Sequence, residues 1–205
     1  AGNNTNWNFS VNTGTSLYWV GGAGNWGDAS HWSFTSGGTP GACVPGPTDD
    51  VFFDANSFTN TSKTVTINVA NAFCKNMNWT GAGFTPTLAY NVNGFLRIAG
   101  SLTLISAMNY NYYGTVNFES RTSGNTITSA GKTFLSTVYF TGLGGAWTLI
   151  DPFTTTGYLE LTAGTLNTNN QTVSCLYFGS TSGLTRALNM GSTVFTITNY
   201  YWNVS

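Results

Sequence analysis

A short apolar–polar alternation returns along the chain at nearly constant intervals. Its instances are KNMNWTG (75–81), FLRIAG (95–100), TVNFES (115–120), TVYFTG (137–142), YLELTAG (158–164) and CLYFGS (175–180). Aligned on Met77, Leu96, Val116, Val138, Leu159 and Leu176, they step by 19, 20, 22, 21 and 17 residues. A second phrase follows the later ones: SLTLI (101–105), NTITS (125–129), WTLID (147–151), GTLNT (164–168) and ALNMG (187–191). A third, weaker phrase is seen in KTFLS (132–136), QTVSC (171–175) and TVFTIT (193–198). Alternation of period two means strands with one face buried. Three short strands in about 20 residues cannot bury that face alone and must stack on the next repeat. The expected fold is all-β: a right-handed parallel β-helix of about 20 residues per coil. The expected inward column is Met77/Trp79, Leu96/Ile98, Val116/Phe118, Val138/Phe140, Leu159/Leu161 and Leu176/Phe178. A β-sandwich is the alternative, since its strands recur every 8–12 residues.

Residues 1–63 differ from this body. They hold four of the seven Trp and three of the five Pro. A solenoid end is an open sheet edge that needs covering, so 1–63 is read as an N-terminal Trp/Gly-rich cap with the first strands, and 64–205 as coils. The Trp/Gly stretch WVGGAGNWGDASHW (19–32) is read as part of that cap, with His31 bonding inside it. The other end, TITNYYWNVS, shows no cap, so the coils are expected to continue into a longer chain.

Charged residues are 6% of the sequence, with net charge −1 and six scattered Lys and Arg. Without a basic patch a nucleic-acid partner is not expected. No apolar run reaches the ~20 residues of a membrane helix, so membrane insertion is not expected either. A surface of hydroxyls, amides and aromatic rings suits uncharged partners such as glycans.

The opening motifs run in series. Trp-x-Gly-Gly-x-Gly-x-Trp begins at Trp19. Cys-x-Pro follows at Cys43, DDVFFDANSF at 49–58 and CKNMNWTG at 74–81. Over residues 19–81 this series resembles modules of very large secreted Bacteroidota surface proteins, the SprB-type gliding adhesins exported by the type 9 secretion system. The resemblance implies an extracellular, cell-surface filament. It would be attached through a C-terminal region absent from this sequence, with these residues near its distal end. The implied function is non-enzymatic adhesion to surfaces or polysaccharides, in the context of gliding motility. The alternatives are a β-helical carbohydrate-active enzyme and a purely structural spacer.

Four groups of candidate residues follow. Tyr110, Tyr112 and Tyr113 in AMNYNYYG (107–114) are read as a surface loop whose rings bind a ligand. Tyr200, Tyr201 and Trp202 form a second aromatic run. Cys43 and Cys74 bracket the junction of cap and coils and are read as a disulfide, with Cys175 left as a buried thiol or a partner for another subunit. Asp49, Asp50 and Asp54 have a spacing that can bind calcium, against an alternative of Asx-turns and strand-end capping; no other cofactor is expected. The enzyme alternative is weak. Glycoside hydrolysis needs two carboxyls at about 5–9.5 Å, whereas Glu119 and Glu160 are expected on the outer face two coils apart.

Overall fold

The computed structural model describes residues 13–199 and 201–205. The chain is a β-solenoid of about seven turns at about 22 residues per turn. Three sides run along it. The first side is one parallel ladder of Ser16–Trp19, Asp50–Phe52, Met77–Asn78, Leu102–Thr103, Asn125–Thr128, Ala146–Leu149, Gly164–Asn167 and Arg186–Asn189. The third side is another, made of Asn71–Cys74, Phe95–Ile98, Thr115–Phe118, Val138–Phe140, Tyr158–Leu161, Tyr177–Ser180 and Trp202–Val204.

The second side is divided. Gly24–Asn25, Thr64–Ile67, Thr87–Tyr90 and Asn109–Asn111 form one sheet; Thr133–Phe134, Phe153–Thr155, Val173–Cys175 and Phe195–Ile197 form another. No ladder joins Asn109–Asn111 to Thr133–Phe134. The core is nevertheless continuous there. Tyr110 meets Phe134 edge-on at 5.3 Å, and Phe134 stacks on Phe153 at 4.7 Å.

Stacked turns place equivalent side chains in columns. On the third side Ala72, Leu96, Val116, Val138, Leu159 and Phe178 lie in register, all buried. The four middle turns of the expected column are therefore observed. Its two ends are corrected. Met77 is inward, but on the first side, between Val51 and Leu102. Leu176 is half-buried at a corner, and Phe178 holds the position expected for it. In both places the alternation runs on through a corner after a buried cysteine, so period two alone cannot tell one side from the next.

The cap is a dense aromatic cluster. Trp32–Ser33 pairs antiparallel with Ser16–Trp19 and covers the edge of the first sheet. Trp19, Trp26 and Trp32 are fully buried, crossing edge to face at 5.1 Å (Trp19–Trp32) and 4.9 Å (Trp26–Trp32). Gly21 and Gly22, at φ 81° and 78°, make the left-handed turn that lets the Gly22 carbonyl accept from Trp19 Nε1 at 2.6 Å. His31 stacks on Trp19 at 4.8 Å, and its Nδ1 donates to the Val20 carbonyl at 2.9 Å. Phe53 passes the cluster to the coils by stacking on Trp79 at 3.8 Å.

Candidate functional site: the tyrosine-bearing face around Glu160

The outward positions of the third side form two columns. One contains Phe95, Thr115, Tyr158 and Tyr177; the other contains Phe73, Arg97, Asn117, Tyr139, Glu160, Gly179 and Asn203. Neighbouring turns lie about 4.8 Å apart. Near the start of this face the polar groups satisfy one another. Arg97 Nη1 donates to Glu119 Oε1 at 2.6 Å, and Arg97 Nε to Asn71 Oδ1 at 2.8 Å. The guanidinium lies 5.8 Å and 5.3 Å from the Phe73 and Phe95 ring centres. Asn117 Nδ2 donates to Glu119 at 3.2 Å, while its buried Oδ1 has no partner.

Further along, the face turns aromatic. Tyr158 and Tyr177 lie in register with ring centres 5.0 Å apart, and Tyr177 meets Tyr201 at 5.2 Å. Tyr158 and Tyr201 are exposed and Tyr177 half-buried. Glu160 lies between Tyr139 and Gly179 in the adjoining column. Its carboxylate is folded over Gly179, where a Cβ would overlap it. That approach requires glycine at 179. Burial raises the Glu160 carboxyl above its ordinary value, with no hydrogen bond from the described residues to offset it. The result is a row of tyrosine rings, inclined at 58° (Tyr158–Tyr177) and 87° (Tyr177–Tyr201), beside one hydrogen-bond acceptor.

The residues expected to form sites are placed differently. AMNYNYYG is not a loop. Asn109–Asn111 is a strand, with Tyr110 directed into the core. Tyr112 is buried too, its hydroxyl donating to the Gly94 carbonyl at 3.1 Å, and only Tyr113 is exposed. Burial raises the hydroxyl pKa of both Tyr110 and Tyr112. Two of the three rings are thus core residues, because Asn-out, Tyr-in alternation is itself a strand pattern. Trp202 packs on Phe178 and Phe195 at 4.3 and 4.9 Å, so its ring belongs mainly to the end of the core. Tyr200 lies outside the described residues.

The expected disulfide is absent. Cys43 is an exposed free thiol, and Cys74 is a free thiol buried inside the third side. Desolvation pushes the Cys74 thiol up. Cys175 is buried and free as well, its thiol pushed up to about 11.

The three aspartates do not converge. Asp49 accepts from the Thr15 and Gly46 amides, both at 2.8 Å. Asp50 accepts from Asn76 Nδ2 at 2.7 Å, and Asp54 from the Asn56 amide at 2.9 Å. Among the described residues no three metal-binding side chains form a group. These carboxylates close turns and tie adjacent coils, which was the alternative reading.

Fold and face together define a β-solenoid with an aromatic, nearly uncharged outer strip. No family model, curated protein or solved structure matches the chain. Among the described residues no helix is long and apolar enough to cross a membrane.

Proposed function

We propose that this chain is a segment of a non-enzymatic, extracellular adhesin, and that the tyrosine-bearing third side is its contact surface for polysaccharide. The observation that carries the reading is the Tyr158–Tyr177–Tyr201 row, one ring per turn, beside the Glu160 carboxylate, which has no hydrogen-bond partner among the described residues. Rings at the spacing of stacked turns, presenting a mixture of faces and edges, offer apolar surface to successive sugars of an extended glycan. A weak contact repeated along a stiff rod gains strength through multivalency rather than through a deep pocket. The motif series over residues 19–81 supports placing the chain on a cell-surface filament exported by type 9 secretion. The low charge supports recognition through rings and hydrogen bonds rather than through an extended charged patch.

The test is binding of the chain, displayed multivalently, to a polysaccharide panel. Tyr158→Ser/Tyr177→Ser runs beside Tyr113→Ser, which changes an exposed ring outside this strip. Each ring removed from the third side is expected to weaken an oligosaccharide by roughly two- to tenfold. Tyr113→Ser is expected to change nothing. Binding that survives the double substitution, or no binding to any glycan, would overturn the proposal.

A further inference from the structure

The chain has seven acidic residues. Six are held by partners: Asp28, Asp49, Asp50, Asp54, Glu119 and Asp151 accept hydrogen bonds from backbone amides, side chains or Arg97. Glu160 has none among the described residues, and desolvation is the one influence acting on its carboxyl. A half-buried carboxylate without donors costs stability unless something supplies them.

Its surroundings specify the donor. Tyr139 stands one turn before it and Gly179 one turn after, with Asn203 beyond. Tyr158 is two residues earlier on the same outward side, with Tyr177 in register beside it. The one cation in the strands of this sheet is Arg97, which is committed to Glu119 and Asn71. The site therefore combines an uncompensated negative charge with aromatic faces, which are themselves attractive to cations. A ligand that fits must present a positive donor to Glu160 and an apolar ring face to the tyrosines.

We infer that the Glu160 strip selects glycans bearing free amino groups, the ammonium of a 2-amino sugar donating to the Glu160 carboxylate while its pyranose ring rests on Tyr158 and Tyr177. This inference rests on the glycan-binding reading of the same face. It adds a sign preference: amino sugars above their N-acetylated forms, and both above uronates, which Glu160 repels.

The deciding experiment measures equilibrium binding of glucosamine hexamer, N-acetylglucosamine hexamer, a galacturonate oligomer and a lysine-rich peptide at near-neutral pH. Wild type is compared with Glu160→Gln and with Tyr158→Ser/Tyr177→Ser, each checked for native circular dichroism. The glucosamine hexamer is expected to bind about tenfold more tightly than its acetylated counterpart, the gain of one charge-assisted hydrogen bond. Glu160→Gln should erase that preference. The double tyrosine variant should weaken both. Equal binding of the two hexamers, or a preference that survives Glu160→Gln, overturns the inference while leaving the glycan reading intact. A lysine-rich peptide that binds as tightly as the glucosamine hexamer overturns it by showing charge without sugar recognition. Failure of every glycan to bind overturns both.

Discussion

A carboxylate laid against a sheet loses part of its hydration, and Glu160 gains no hydrogen bond from the described residues in return. Its folded-state pKa is raised, with burial as the cause. The titratable groups beside it are Tyr139, Tyr158 and Tyr177, and among the described residues no cation acts on it. A raised folded pKa means that the protonated form is favoured in the native state. The stability it contributes is fully present below the unfolded glutamate value and is lost as the pH rises through the raised folded value. Denaturant melts across the acid range should show this loss in the wild type. Glu160→Gln should be more stable than wild type at neutral pH, with that part of the pH dependence gone. Equal stability of the two proteins at neutral pH would show that Glu160 is solvated as an ordinary surface acid.

Between the cap and the coils, continuity depends on the short strands Asp50–Phe52 and Met77–Asn78 and the rings that follow them. Phe53 and Trp79 stack at 3.8 Å, both fully buried, with Phe58 stacked beyond. Trp79→Ala should cost about 3–5 kcal/mol, measured by denaturant titration, because no neighbouring ring can fill the space without leaving its own stack. A cost under about 1 kcal/mol would mean that cap and coils are energetically separate. Much of this architecture is legible in the sequence. Leu96, Val116, Val138 and Leu159 announce their turns because the inward residues are large and regularly spaced. Cys74–Met77 and Cys175–Phe178 are misread because alternation continues round a corner. Tyr110 is misread for another reason: tyrosine among asparagines has the composition of a binding loop, although its alternation is that of a strand. Of the tyrosine strip the sequence marks only Tyr201. Tyr158 and Tyr177 are 19 residues apart and become neighbours only through register. Nothing local marks Gly179 as the place where the Glu160 side chain lies.

At the scale of the whole molecule, stacked parallel strands bind each turn to the next, and the contacts that matter are those between neighbours. Charges take little part, since the chain carries 6% charged residues and the described residues contain a single ion pair, Arg97–Glu119. The rod's cohesion is therefore apolar and hydrogen-bonded, and salt has little to screen. The divided second side gives this rod a mechanical character. A pull along the axis is carried by two uninterrupted hydrogen-bonded cables, the first and third sides. On the second side the load must cross from Asn109–Asn111 to Thr133–Phe134 without a strand ladder, through the edge-on contact of Tyr110 with Phe134 and the hydrogen bond from Lys132 Nζ to the Ser106 carbonyl. That splice resists shear poorly, so the rod is compliant toward one side and stiff toward the other two. Stretching a single molecule should give a first yielding event at this splice, with the turns on either side still folded. A first yield within the tryptophan cap would locate the weak point elsewhere. A rod built this way bends in a preferred direction before any of its turns is lost.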